Sequence, residues 1–121
     1  MHRKVKALLA AALIVIALLT AGCSKSTKHV DATKATVIDV RTPAEFDQGH
    51  LQGAINIDFS GDFATQIGAR PKDGHYLLYC RSGARAGQAL DLMKQQGFTD
   101  VTNLGGIDAA AKSTGLSIVK S

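Results

Sequence analysis

The chain has 121 residues, 45% of them hydrophobic and only 5% aromatic, with a formal charge of +4. That length suits one small domain whose single core leans on Leu, Ile, Val and Ala rather than on rings. No basic stripe interleaved with aromatics runs through it, which speaks against nucleic acid as a partner.

The first residues read as an export signal. His2, Arg3, Lys4 and Lys6 make a basic head, and residues 7–19 are an uninterrupted apolar run too short for a comfortable membrane span. Leu19-Thr20-Ala21-Gly22-Cys23 then sets small residues before a cysteine. This resembles a bacterial lipobox, although Thr20 stands where leucine is more usual. The resemblance implies a lipoprotein signal peptide over residues 1–22 and a lipidated Cys23 as the new N-terminus. It also implies a domain held on a membrane of the bacterial cell envelope, outside the cytoplasm. An ordinary signal peptide cut near Ala21 would use the same basic and apolar segments. Removing Arg3, Lys4 and Lys6 leaves eleven Lys/Arg against ten Asp/Glu, so the positive charge belongs mostly to the precursor.

Residues 23–33 are polar, lack an apolar period and read as a tether. The folded domain is expected over residues 34–121. Residues 36–40 are β-branched and predict a strand ending at Arg41. Thr42-Pro43-Ala44-Glu45 predicts a helix start: Thr42 caps, Pro43 takes the first helical position, and Glu45 completes a capping box. Gly49 ends that helix. Residues 54–57 read as a second strand. Phe59, Phe63 and Ile67 share one face of a helix expected from about Ser60. Asp73-Gly74 is a turn before the apolar run 76–79. Ala86, Ala89, Leu90 and Met93 fall at i, i+3, i+4 and i+7, one apolar face of a helix reaching about Gln96 and stopped by Gly97. Residues 101–104 predict another strand, and residues 107–113 a last helix closed by Gly115. Strands alternating with helices at this spacing predict an α/β fold with a mainly parallel central sheet flanked by helices.

Between the apolar run and the long helix lies Cys80-Arg81-Ser82-Gly83-Ala84-Arg85. A thiol at a strand-to-helix turn meets backbone N–H groups that have no intrahelical partner, at the positive end of the helix dipole. Both favour thiolate over thiol. Arg81 and Arg85 add two positive charges. Cys80 is therefore the candidate nucleophile, its pKa lowered by its setting. A free cysteine is otherwise a small buried hydrophobe, but two arginines and a glycine turn serve no packing purpose. Cys23 and Cys80 are the only cysteines. With Cys23 lipidated, Cys80 has no resolving partner, which argues against a dithiol oxidoreductase and leaves a lone thiol open to over-oxidation. His50 reads as a local hydrogen-bonding residue. His29 and His75 have no partner pattern, and no Cys/His spacing suggests a metal site.

The loop resembles the active-site loop of rhodanese-like sulfurtransferases, where Cys-Arg-Ser-Gly-x-Arg is common. Val37-Ile38-Asp39-Val40-Arg41, followed by Gly49-His50-Leu51-Gln52-Gly53-Ala54, resembles that family's Asp-Val-Arg strand end and its Gly-His-Ile-x-Gly-Ala motif. Val101-Thr102-Asn103-Leu104-Gly105-Gly106 matches the strand and glycine turn near the family's C-terminus. Gln52 and Ala109-Ala110 depart from the proline and tryptophan that relatives often show, while the loop itself is intact.

The resemblance implies a rhodanese-like α/β fold and a thiosulfate-type sulfurtransferase that needs no cofactor. Cys80 would carry sulfane sulfur as a persulfide, from a small anionic donor such as thiosulfate to a thiol or cyanide-like acceptor. The backbone N–H groups of Arg81, Ser82, Gly83, Ala84 and Arg85 would converge on the charged sulfur. Arg85 and Arg81 would bind the donor's oxygens. Ser82 either adds a hydroxyl donor or caps the helix. Asp39 and Arg41 are expected to pair and support the loop. Related phosphatases place five residues between cysteine and arginine. Here Arg85 leaves four, and Ala86 stands where the longer loop would put arginine. Two other readings stay open: a binding module without chemistry, and a persulfide carrier serving a protein partner.

Overall fold

A computed structural model describes residues 28–121. The signal segment 1–22 and Cys23 lie outside the described residues. In chain order the elements are β1 (Thr36–Asp39), α1 (Pro43–Gln48), β2 (His50–Leu51), β3 (Ile55–Asn56), α2 (Phe63–Gly68), β4 (His75–Cys80), α3 (Ala84–Gln95), β5 (Asp100–Gly106), α4 (Ile107–Thr114) and β6 (Ile118–Val119).

Four strands form a wholly parallel sheet in the order β3-β1-β4-β5. Its alternating side chains feed two cores. Ile38, Leu78 and Cys80 point to one face, where Phe63 and Ile67 of α2 and Ala86, Ala89 and Met93 of α3 cover them. Val37, Leu77 and Tyr79 point to the other, against Leu51 and Ala110 of α4. From Tyr76 to Cys80 every residue of β4 is buried, as a strand covered on both faces requires. The α/β, mainly parallel architecture expected from the sequence is the one observed.

The local signals held at most element ends. Thr42 Oγ1 accepts from the Glu45 N–H at 3.2 Å, the Glu45 carboxylate reaches back to the Thr42 N–H, and Pro43 occupies the first turn. Gly97 and Gly115 close α3 and α4 with φ of 96° and 75°, values only glycine adopts freely.

Three features differ from the expectation. α2 begins at Phe63 instead of near Ser60. Asp58 Oδ1 accepts from the Ser60 N–H at 2.9 Å and its hydroxyl at 2.7 Å, an Asx turn that competes with helix. Phe59 donates its N–H to Val40 instead, and packs on Phe63 edge-to-face at 5.5 Å. Second, β2 and β6 make a separate antiparallel ribbon, with His50 opposite Val119 and Leu51 opposite Ile118. The Leu51 N–H donates to Tyr79 Oη at 2.9 Å and ties this ribbon to the main sheet. Third, the chain docks before residue 34: the Val30 N–H donates to the Ser113 carbonyl at 2.7 Å, and Val30 and Ala32 pack on the second core.

Candidate active site

Cys80 ends β4 at the carboxyl edge of the sheet and is fully buried. The chain then turns into α3 through Gly83, whose φ is 97°. This turn folds the backbone over the thiol. The Gly83 N–H points at Cys80 Sγ with a separation of 2.9 Å. Burial pushes the thiol's pKa up, but the N–H groups of Ala86, Ser82, Gly83 and Arg85 outweigh it and bring the pKa below the ordinary thiol value. Of the expected span 81–85 the set contains Ser82, Gly83 and Arg85, and the first turn of α3 adds Ala86.

A second wall presses on the loop. One extra residue bulges from β5 between its pairings with Leu78 and Cys80, and sets Gly106 opposite Cys80. A Cβ on Gly106 would come within 2.5 Å of the Arg81 carbonyl oxygen, and one on Gly83 within 3.2 Å of Gly105 Cα. Two backbones touch here and neither tolerates a side chain. Asn103 Nδ2 donates to the Gly83 carbonyl at 3.0 Å while its Oδ1 accepts from the Gly105 N–H at 2.8 Å. Asn103 thus clamps the loop from β5. Its motif was visible in the sequence, but its role was not.

The other expected residues divide sharply. Ser82 is exposed and precedes the N-cap, Gly83, and the helix has no side-chain cap. The capping reading of Ser82 is therefore wrong: it stands one residue too early, with its N–H committed to the sulfur. Ala84 is the first residue of α3 and contributes backbone alone.

Arg85 does not stand free. Its Nη1 and Nη2 donate to Glu45 Oε1 and Oε2 at 2.8 and 3.1 Å, a forked pair that joins the start of α3 to the capping box of α1. The Arg85 hydrogen bond and charge hold the Glu45 carboxyl at about 2. Because the folded pKa is depressed, the pair contributes stability above the ordinary carboxyl range and loses it as pH falls through about 2. Replacing Glu45 with glutamine is expected to cost about 1 kcal/mol at pH 7, the upper end for partly exposed pairs. The gap to wild type should narrow steadily below pH 4.5 in denaturant titrations. A gap independent of pH would contradict the pairing.

Asp39 and Arg41 pair as expected, deeply buried. Arg41 Nη2 meets Asp39 Oδ2 at 2.7 Å, and Arg41 Nε meets Oδ1 at 3.0 Å. Arg41 also donates to the Gly49 carbonyl, and Asn56 Nδ2 binds the carbonyls of Asp39 and Arg41. The pair organises the corner between β1 and α1. His50 behaves as a local residue: Nδ1 bonds the Phe46 carbonyl at 2.8 Å, and the ring stacks on Phe46 at 3.7 Å.

An open cavity of about 530 Å³ lies beside the loop, lined by Arg41, Glu45, Gln48, Gly49, Arg81, Ile107, Asp108 and Ile118. Arg81 is exposed and faces it, whereas Arg85 does not line it. Among the described residues no group of three His, Cys, Asp or Glu side chains could hold a metal ion.

Comparison with known proteins agrees with this arrangement. Residues 24–113 match the Rhodanese-like domain family. The chain is 40% identical over 97 residues to a sulfurtransferase of Allochromatium vinosum, covering 79% of this chain and 89% of that protein. It is 39% identical over 71 residues to the thiosulfate sulfurtransferase PspE of Escherichia coli, covering 58% and 68% respectively. A solved structure of a rhodanese with anions from E. coli superposes with a TM-score of 0.59 at 34% identity, over 72% of this chain and 99% of that one. A buried, amide-cradled cysteine at the end of a parallel strand, in a chain with these relatives, makes the protein a member of the rhodanese-like domain family, of the sulfurtransferase kind.

Proposed function

We propose that the protein is a thiosulfate-type sulfurtransferase that carries sulfane sulfur on Cys80. The observation that carries this reading is a buried sulfur at the end of β4 that the Gly83 N–H meets at 2.9 Å, in a turn whose backbone N–H groups lower the thiol's pKa. The Cys80 thiolate attacks the outer sulfur of thiosulfate. A Cys80–sulfur bond forms, the donor's own S–S bond breaks, and sulfite leaves with the electron pair. The product Cys80–S–S⁻ keeps its charge among the same amides, which stabilise it without reorganising. A thiolate or cyanide then attacks the terminal sulfur and returns Cys80 to thiolate. With Arg85 engaged by Glu45, the donor's oxygens meet Arg81 as the cation at the cavity wall.

The lipobox resemblance supports a seat for this chemistry at a membrane of the bacterial cell envelope, outside the cytoplasm, with Cys23 as the lipidated residue. From Cys23 to the docked Val30 the chain spans at most about 25 Å when fully extended, so a lipid anchor would keep the domain close to the bilayer surface.

Intact mass tests the reading. After exposure to thiosulfate, the wild-type protein should gain one sulfur and lose it on adding cyanide, while Cys80→Ser should gain none. No gain on the wild type would remove the thiosulfate enzyme and favour a carrier loaded by a protein partner, or a binding module.

A further inference from the structure

The cavity beside the loop carries a charge pattern that the donor half of this chemistry uses only in part. Four charged side chains line it. Two are already paired, Arg41 with Asp39 and Glu45 with Arg85. The other two, Arg81 and Asp108, are exposed, opposite in sign, and engaged by no side-chain hydrogen bond or ion pair among the described residues. Gln48 and Gly49 are neutral, Ile107 and Ile118 give the lining its apolar side chains, and Ile118 at 47% is the exposed large hydrophobic among the described residues. Two of the cavity's lining residues adjoin the nucleophile's immediate surroundings. Arg81 follows Cys80, and Ile107 follows Gly106, which is Cys80's partner across the sheet. A volume of about 530 Å³ suits a small molecule.

We propose that this cavity seats the sulfur acceptor, and that the acceptor is a zwitterionic low-molecular-weight thiol of the α-amino-acid kind. Its carboxylate lies on Arg81, its ammonium on Asp108, and its short apolar stem against Ile107 and Ile118. The assignment rests on the sulfur-transfer reading. The acceptor thiolate attacks the terminal sulfur of Cys80–S–S⁻. The new S–S bond forms on the acceptor as the bond to Cys80 Sγ breaks, and Cys80 leaves as thiolate. Sulfane sulfur changes carrier and nothing is oxidised or reduced overall. Sulfite has departed before this step, so Arg81 serves the donor's oxygens and then the acceptor's carboxylate, each of which a guanidinium fork fits.

Asp108 also sits in the first turn of α4, where an acid favours the helix dipole. That role moves stability but does not sort acceptors by charge. The test therefore crosses two variants of the full-length chain with three acceptors, at fixed thiosulfate. Cysteine carries both charges, 3-mercaptopropionate only the carboxylate, and cysteamine only the ammonium. Asp108→Asn should lower kcat/KM about tenfold for cysteine and cysteamine and spare 3-mercaptopropionate. Arg81→Gln, which also weakens the donor step, should lower it about tenfold more for cysteine and 3-mercaptopropionate than for cysteamine. Equal losses for all three acceptors, or no losses, overturn the assignment while leaving the persulfide chemistry standing. S-methylcysteine, which has no thiol, separates binding from transfer. It should shift the NMR methyl signals of Ile107 and Ile118 in the wild type, and each variant should weaken that binding. Those shifts without any sulfur uptake from thiosulfate would sink the sulfur-transfer reading and leave the cavity as an amino-acid site. No shifts would sink the cavity assignment.

Discussion

Replacing Gly106 with alanine is expected to lower kcat/KM for sulfur transfer by about 100-fold and to destabilise the domain by about 1–3 kcal/mol. The added methyl would lie 2.5 Å from the Arg81 carbonyl oxygen, a backbone atom that has nowhere soft to go. Overpacking of this size costs a few kcal/mol at most, so the fold survives while the loop moves. Moving it misaims the four N–H groups that hold the Cys80 sulfur, and a displacement near 1 Å is enough for about a 100-fold loss. The same shift should raise the pH at which Cys80 is alkylated by iodoacetamide, because burial continues to push the thiol up while the amides release it. Gly97→Ala is the control. Gly97 has a φ of 96° but an added Cβ meets nothing within 4 Å, and it lies at the far end of α3. It should cost stability alone. Wild-type turnover in Gly106→Ala would mean that contact between β5 and the loop does not hold the nucleophile in place.

Asp39→Ala should be the most destabilising single change. It leaves the buried Arg41 side chain without its ion-pair partner, and breaking a buried pair from one side costs about 3–5 kcal/mol. For a domain of this size that corresponds to a fall in Tm of at least about 12 °C. Asp39→Ala combined with Arg41→Met should recover much of the loss, since no buried charge remains to be compensated. Asp39→Ala melting within a few degrees of wild type would show that Gly49 and solvent suffice for Arg41. The corner between β1 and α1 also forms the cavity wall through Arg41 and Gly49, so the double variant should regain stability before it regains full activity.

Local chemistry in the sequence predicted most of this molecule. Thr42, Pro43 and Glu45 announce a helix start through contacts within four residues, and Gly97 and Gly115 announce stops by backbone freedom alone. Cys80 with its glycine turn is a local signal too. What escaped depends on distant parts of the chain. The capping box fully accounts for Glu45 in the sequence, so nothing there signals that its carboxylate also holds Arg85, forty residues on. β2 and β6 are two residues each, too short for any periodicity, and they find each other across most of the domain. Phe59, Phe63 and Ile67 do have helical spacing. Spacing cannot show that Asp58 binds the Ser60 amide and delays the helix. Val30 is an isolated apolar residue in a polar stretch, and the Ser113 carbonyl and the second core, both distant in the chain, make it part of the fold.

The separateness of the β2–β6 ribbon has a consequence for how such a protein can change over generations. The nucleophile hangs from the four-stranded parallel sheet, whereas Ile118, one wall of the cavity, hangs from a strand that pairs only with β2. Reactivity and the apolar wall of the cavity are thus written on different hydrogen-bonded units. Residues near the carboxyl end can be exchanged to suit a new reaction partner without disturbing the strand that carries Cys80. A lineage of such chains can diversify what it serves while its sulfur chemistry stays fixed.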